Sequence, residues 1–198
     1  MQRITEVVKH LLIINVILFI AFYYVMREYW QMTFLYFPLS EAFQPFQLVS
    51  HMFMHGSESH ILFNMMSLFF LGPTVEQGMG SKRFLGLYLA CGFSAMALHV
   101  LLSFLGVISP VPIVGASGAI VGVAIAFAVL YPDVKLMLMF IPVPVKAKYL
   151  MGAFVIFDLV AGFGTFNTGI AHFAHLGGAL CGFILTWYWY RRNPNISA

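Results

Sequence analysis

Three short polar sets interrupt an otherwise apolar sequence, and their side chains are those of nucleophilic catalysis. One set pairs His60 with Asn64, one is the Gly-Ala-Ser-Gly segment around Ser117, and one contains His172 and His175. A serine hydroxyl needs a neighbouring base before it can act as a nucleophile, and histidine is the usual base. These residue types therefore predict a site in which Ser117 is the nucleophile and His175 is the general base.

The first set could stabilise the oxyanion that forms when a serine attacks a carbonyl group. His60 and Asn64 are four residues apart, so their side chains project from one face of a helix. Together with the backbone N–H of Ser117, they could supply the donors that a tetrahedral intermediate requires. Each set has an alternative when taken alone, because Gly-x-Ser-Gly is also typical of helix packing and a single intramembrane histidine of a satisfied polar contact.

Small residues surround the predicted nucleophile and base. Gly115 and Gly118 flank the serine, and Gly178 follows the base by three residues. Small side chains allow helices in a membrane to approach closely, as a serine–histidine hydrogen bond between two helices requires. We assign these glycines a supporting role. His172, one helical turn before the base, is predicted to support the base or to face the substrate.

The composition places these sets in a membrane protein. Of 198 residues, 61% are hydrophobic and 9% are charged, whereas about 25% are charged in a typical soluble domain. A membrane span needs roughly 20 mostly apolar residues, and the sequence predicts an all-α fold, a single domain over residues 1–198 with six transmembrane helices. The predicted spans are about 11–29, 60–77, 84–106, 113–131, 148–164 and 170–190.

Basic residues predict the orientation of this bundle. With the N-terminus in the cytoplasm, nine of the ten lysines and arginines lie on the cytoplasmic side, and only Arg27 lies outside. Positive charge favours the cytoplasm, so both termini are predicted to be cytoplasmic. The second, fourth and sixth spans then begin at the outer face. At about 1.5 Å per residue, all three polar sets lie roughly 5–10 Å below that face, which predicts one shared site.

No carboxylate is expected at that depth. Glu76 and Asp133 fall near the cytoplasmic face, and Asp158 lies well inside the fifth span. We therefore predict a serine–histidine dyad and not a triad. The apolar segment from Val134 to Val145 is too short to span a membrane and contains two prolines, so it is predicted to be interfacial or re-entrant.

Other chemistry is less favoured by these residues. His51 and His55 have the spacing of a helical metal pair, but no His-Glu-x-x-His motif accompanies them. A small transporter or a metal-binding channel, which would use the histidines as ligands, is nevertheless an alternative.

The net charge of +3 comes from loop residues and gives no indication of a nucleic-acid partner. Cys91 and Cys181 lie in apolar runs and are predicted to be free thiols.

Together, the three sets resemble the motifs of the rhomboid family of intramembrane serine proteases. The family pattern is His-x-x-x-Asn, Gly-x-Ser-Gly and Ala-His-x-x-Gly-x-x-x-Gly; the matching residues are His60 and Asn64, Gly115, Ser117 and Gly118, and Ala174, His175, Gly178 and Gly182. The resemblance covers nearly the whole chain. It implies that Ser117 is the nucleophile and His175 the base, and that His60 and Asn64 line the oxyanion hole.

The resemblance also implies the partners of the protein. Substrates would be single-pass transmembrane proteins, cut near the outer face after lateral access between the second and fifth helices. The lipid bilayer is the other partner, no metal, ATP or other cofactor is expected, and His51 and His55 would be structural. A core without an added domain favours a bacterial inner (plasma) membrane. The alternative is a catalytically silent rhomboid-like protein that binds membrane clients; such proteins usually lack the serine or the histidine.

Two positions depart from the family pattern. The Trp-Arg pair of the family's first loop corresponds to Phe46-Gln47, so the resemblance does not imply the detailed fold of this loop. In some members an aromatic residue four positions after the serine stacks on the catalytic histidine, and the corresponding residue here is Val121. We therefore expect His175 to be oriented less tightly.

Overall fold

A computed structural model describes residues 3–138, 141–164 and 171–193. In chain order the helices are α1 (Glu6–Phe19, continued by a π-helical stretch, Ile20–Val25), α2 (Arg27–Trp30), α3 (Gln47–Ser50), α4 (Glu58–Met79), α5 (Ser81–Phe104), α6 (Ser117–Leu130), α7 (Ala147–Phe163) and α8 (His172–Arg192). A 3₁₀ turn, Gln31–Thr33, follows α2, and two strands, β1 (Lys135–Leu138) and β2 (Ile141–Lys146), separate α6 from α7.

Six long helices, α1 and α4 to α8, occupy the six apolar segments in which spans are predicted. Among the described residues, two helices are long and apolar enough to cross a membrane by themselves. These are Glu6–Val25, with a mean hydropathy of 2.0, and Ser81–Phe104, with a mean hydropathy of 1.9. The number of crossings and their orientation stay predictions. Residue 170 of the predicted sixth span lies outside the described residues, as do residues 1–2, 139–140, 165–169 and 194–198 of the predicted domain.

The α6 helix lies at the centre of the bundle. Eleven of its fourteen residues are buried, and it packs against α4, α5 and α8. A helix that is apolar on all sides is expected in such a position. The α1 helix packs outside α4 and α5, and α7 packs outside α6 and α8. The N-terminus of α6, which carries the predicted nucleophile, is therefore surrounded by three helices.

Glycines allow α6 and α8 to touch along their backbones. A Cβ atom on Gly182 would lie 2.5 Å from the carbonyl oxygen of Gly122, which is too close for any side chain. The same close approach recurs one turn nearer the predicted site, between Gly118 and Gly178. Close packing of small residues is how membrane helices associate, and here it brings together the two helices that carry the serine and the histidine.

Glu76 joins three helix ends at the opposite end of the bundle from Ser117. Its buried carboxylate accepts hydrogen bonds from the backbone N–H of Val7 (3.1 Å) and of Val8 (3.0 Å). It also accepts hydrogen bonds from two hydroxyl groups. One is that of Ser81, at 2.7 Å, and the other is that of Thr5, the N-cap residue of α1. A carboxylate satisfies N-terminal amides and the positive end of the helix dipole. This cap explains why the first helix begins at Glu6, earlier than the predicted residue 11.

The segment between α6 and α7 is an antiparallel β-hairpin, so the prediction of an all-α chain is wrong here. Lys135 pairs with Lys146 and Leu136 with Val145. Proline is tolerated in edge strands because its missing N–H can face away from the partner strand, and both strands of a two-stranded sheet are edges. The prolines of β2 were therefore compatible with a strand. Residues 139–140 of the predicted interfacial segment lie outside the described residues.

Candidate active site

Ser117 is the first residue of α6, whereas the predicted span began at residue 113. The segment before it is tied to the loop between α1 and α4. Leu35 and Ile113 form an isolated antiparallel bridge, and the N–H of Gly115 donates to the carbonyl oxygen of His51 at 2.8 Å. Since the first amides of a helix have no intrahelical acceptor, the N–H of Ser117 points out of the helix end. The hydroxyl and a backbone donor therefore lie at one position.

The Ser117 hydroxyl lies within hydrogen-bonding distance of His175. The distance from Oγ to Nε2 is 2.9 Å, and His175 is the fourth residue of α8. Nucleophile and base thus face each other across the α6–α8 contact, at the distance expected for a proton transfer between them.

Asp158 also belongs to this site, and the prediction that it lies elsewhere is wrong. Its Oδ2 atom is 3.1 Å from Nδ1 of His175, and its Oδ1 atom is 2.6 Å from Nδ1 of His172. The carboxylate is only 2% exposed and His172 is 4% exposed. A buried carboxylate is stable when donors satisfy it, and the two imidazoles do so. The geometry is that of a serine–histidine–aspartate triad, not of an isolated dyad.

The position of Asp158 could have been found from the end of its helix. The α7 helix ends at Phe163, five residues after Asp158. At about 1.5 Å per residue, that places Asp158 roughly 7.5 Å from the helix end, which is the depth expected of the three polar sets. In the sequence, Asp158 was described only as lying well inside the fifth span, and its distance from the outer end of that span was not considered.

A second residue of α7 contacts the base. The ring centroids of Phe154 and His175 are 6.0 Å apart, and the two rings are inclined by 31°. Phe154 precedes Asp158 by one helical turn, so both side chains leave the same face of α7. An aromatic neighbour that the sequence lacks at Val121 is thus supplied from another helix.

His60 and Asn64 lie beside the segment that leads into Ser117. The N–H of Gly56 donates to Nδ1 of His60 at 3.4 Å, which leaves the proton of the neutral ring on Nε2. The amide nitrogen of Asn64 is buried and has no hydrogen-bond partner among the described residues. Both side chains adjoin Gly115: a Cβ there would lie 2.7 Å from Nε2 of His60 and 3.7 Å from Nδ2 of Asn64. Two donors therefore converge next to the nucleophile.

A small cleft opens beside Ser117. It is lined by the loop before α4, by α5, by the start of α6 and by the start of α8, with Met52, Gly92, Gly115 and Ala171 among its walls. Met52 fills the space over Gly92, where a Cβ would lie 2.0 Å from the Met52 methyl carbon. Because Ser117 is itself one of the lining residues, the cleft lies next to the predicted nucleophile.

Asp158, His172 and His175 are also the described side chains that could hold a metal ion. One ligand atom from each lies within 4.8 Å of the others. A metal there would displace the protons of both histidine–aspartate hydrogen bonds. His51 and His55, the pair considered for zinc, do not form such a group with a third ligand among the described residues. The expected absence of a metal stays a prediction.

Other predicted residues have defined places. His172 is buried against Asp158 and does not line the cleft, so of its two predicted placements the structure favours support of the base. Cys91 and Cys181 are free thiols, as predicted. Gln47, which stands where the family has arginine, is buried and makes four hydrogen bonds within the first loop.

The roles assigned to the site residues stay predictions. These are the catalytic roles of Ser117 and His175, the oxyanion role of His60 and Asn64, and the supporting roles of the glycines and His172.

Comparison with known proteins identifies one domain that covers most of this chain. The family description "Rhomboid domain" matches residues 42–192. Rhomboid protein 1, mitochondrial, of Saccharomyces cerevisiae is 30% identical over 142 residues, 71% of this chain and 41% of the relative. Presenilin-associated rhomboid-like protein A, mitochondrial, of Danio rerio is 33% identical over 162 residues, 75% of this chain and 40% of the relative.

A bacterial relative carries the name of an activity. Rhomboid protease GluP of Bacillus subtilis is 34% identical over 137 residues, 69% of this chain and 24% of the relative. The chain thus spans about two fifths of the two mitochondrial relatives, which are 41% and 40% covered, and a quarter of the bacterial one. The matched domain, residues 42–192, contains all the residues of the site.

Proposed function

The chain belongs to the rhomboid family of membrane proteins, and we propose that it is an intramembrane serine endopeptidase. One observation carries the proposal: the Ser117 hydroxyl is 2.9 Å from the His175 imidazole. Ser117 also lines a cleft. A serine paired with a histidine in this way is the basic unit of serine hydrolases.

The proposed reaction begins with attack on a peptide carbonyl carbon. The Ser117 Oγ–C bond forms as its proton passes to Nε2 of His175, and the carbonyl electrons move onto oxygen. Collapse of this intermediate breaks the C–N bond, and His175 returns the proton to the departing amine. Water then attacks the acyl-enzyme ester with His175 again as base, which releases the carboxylic acid and restores Ser117.

The oxyanion would be stabilised by three donors. These are the N–H of Ser117, Nε2–H of His60 and the amide of Asn64. The buried amide nitrogen of Asn64, which has no partner in the part of the chain that the structure describes, supports this role, because a buried donor costs free energy until an acceptor arrives. Removal of one such donor costs about 10²- to 10³-fold in kcat in other serine proteases.

Substrates are proposed to be transmembrane segments of single-pass proteins, presented from the lipid bilayer. The apolar surface of α7 and the position of the site near one end of the bundle support cleavage close to a membrane face, and the predicted orientation makes this the outer face. Relatives are mitochondrial as well as bacterial, so they lend no support to a bacterial inner membrane in particular. We propose a multi-pass membrane location without assigning the membrane.

Labelling with a fluorophosphonate tests the proposal, because this probe reacts only with an activated serine. We expect labelling of the folded protein in detergent at Ser117, and loss of labelling in His175→Ala. Absence of labelling in folded protein would favour the alternative, a catalytically silent rhomboid-like protein that binds membrane clients.

A further inference from the structure

We propose that α7 orients the catalytic base, with Asp158 fixing the tautomer of His175 and Phe154 fixing its ring plane. This inference rests on the proposed function but departs from the serine–histidine dyad that the depths of the carboxylates predicted. Asp158 would be a positioning residue, since it contacts the base and not the reacting atoms.

The hydrogen bonds determine where the protons lie. An ionised carboxylate only accepts hydrogen bonds, and a neutral imidazole carries one proton on one of its nitrogens. The contacts of Asp158 with Nδ1 of His175 and Nδ1 of His172, at 3.1 and 2.6 Å, therefore place a proton on both Nδ1 atoms. Nε2 of His175 is left as the acceptor that faces Ser117. Without the carboxylate, the opposite tautomer would present an N–H to the serine and could not take its proton.

The charge of Asp158 also acts after proton transfer. When Nε2 of His175 accepts the serine proton, the ring becomes a cation. The carboxylate stabilises that cation at a position only 2% exposed to solvent, where charge interactions are weakly screened. His172 occupies the second carboxylate oxygen, which holds the carboxylate plane in place.

Phe154 completes the constraint from the same helix face. The ring centroids of Phe154 and His175 are 6.0 Å apart. Because Phe154 lies one helical turn before Asp158, its ring limits rotation of the same imidazole that Asp158 holds by a hydrogen bond. Two aromatic rings at this separation attract each other. Two side chains of one peripheral helix thus fix the rotation and the tautomer of the base.

Steady-state kinetics separate positioning from a merely structural role. For Asp158→Asn, kcat for a transmembrane reporter should fall by up to about 10⁴-fold, the loss caused by the corresponding change in a soluble triad, with KM little changed. Phe154→Leu should lower kcat by a smaller factor. The matched control is Asp133→Asn, which removes an exposed carboxylate bonded to Lys146 and Lys148 at the far end of α7; it should behave as the unmodified protein. Folded Asp158→Asn that is as active as this control would overturn the inference.

A spectroscopic measurement keeps the inference testable if Asp158→Asn does not fold. In the ¹⁵N spectrum of histidine-labelled protein, the His175 signals are identified by their loss in His175→Gln. We expect protonated Nδ1 and unprotonated Nε2 at neutral pH, and the reverse assignment contradicts the proposal. This readout does not depend on proteolysis. Failure of the proposed function, seen as undiminished cleavage by Ser117→Ala, is therefore distinguishable from failure of the positioning role.

Discussion

Gly178 packs so tightly against Gly118 that a Cβ atom on Gly178 would lie 2.0 Å from the Gly118 carbonyl oxygen. Gly118 follows Ser117, and Gly178 lies one turn after His175. The separation of α6 and α8 at this point therefore determines the distance between nucleophile and base. The backbone contact is part of the site.

Gly178→Ala should separate the two helices and break the serine–histidine hydrogen bond. We expect a loss of about 1–3 kcal/mol in stability, as for other overpacked sites, and at least a tenfold loss of kcat because small displacements of reacting groups are costly. The measurements are thermal unfolding in detergent and reporter cleavage. Gly152→Ala is the matched control, because nothing lies within 4 Å of the added Cβ. Equal activity of the two variants would contradict the account.

Gly115→Ala should abolish activity for two separable reasons. The backbone φ of Gly115 is +119°, a conformation that L residues rarely adopt, and the new Cβ would lie 2.6 Å from Cε1 of His60. Backbone strain of this kind costs on the order of 1–3 kcal/mol. Gly106→Ala, at φ +70° with open space around it, introduces strain without a clash. It should lower stability but retain cleavage; if both variants cleave normally, the role of His60 beside Gly115 is wrong.

The buried amide of Gln47 should stabilise the first loop. Its Oε1 accepts from the N–H of Tyr36 and of Gln44, and its Nε2 donates to the carbonyls of Met32 and Ala42. Gln47→Leu leaves these groups unsatisfied and should cost about 2–4 kcal/mol. Limited proteolysis within residues 34–57 and thermal unfolding provide the measurement. Gln44→Ala, which alters an exposed side chain but keeps the backbone N–H, should have little effect.

Acid should destabilise the protein through His55, which lies in the turn between α3 and α4. Burial, and to a lesser extent the nearby His60, lowers the pKa of His55 from 6.5 to about 3. The unfolded chain therefore binds this proton more readily than the folded one between pH 6.5 and about 3. Stability is full above pH 6.5 and should fall below it by up to about 1.4 kcal/mol per pH unit.

Thermal unfolding between pH 7.5 and 4 measures this dependence. His55→Leu removes the titrating group, so its unfolding temperature should depend less on pH than that of the unmodified protein. An unchanged pH profile in this variant would show that His55 does not cause the acid sensitivity.

Sequence reasoning located the helices and the polar sets because hydrophobic runs and residue spacing are local signals. The depth argument for Ser117, His175, His60 and Asn64 needed only the order and direction of the spans, and the structure brings these four residues together. The end of the fifth span was predicted to within one residue, at 164 against Phe163. Asp158, five residues before that end, was missed because its depth was not counted from the outer end of the span.

Other features depend on contacts distant in sequence. The start of α1 depends on Glu76, a residue 69 positions after Val7, and no pattern near residue 6 reveals that cap. The role of Gln47 depends on backbone groups from Met32 to Gln44 that meet only when the loop closes. The β-hairpin between α6 and α7 was missed because proline usually interrupts regular secondary structure. Edge strands, however, tolerate proline.

Cleavage of a transmembrane reporter by purified protein in liposomes tests the central claim most directly. The Ser117→Ala variant should lose detectable cleavage, while Ser67→Ala, which changes a serine whose hydroxyl bonds to the Phe63 carbonyl at 2.8 Å within α4, should cleave at the rate of the unmodified protein. Undiminished cleavage by Ser117→Ala would contradict the assignment of Ser117 as the nucleophile.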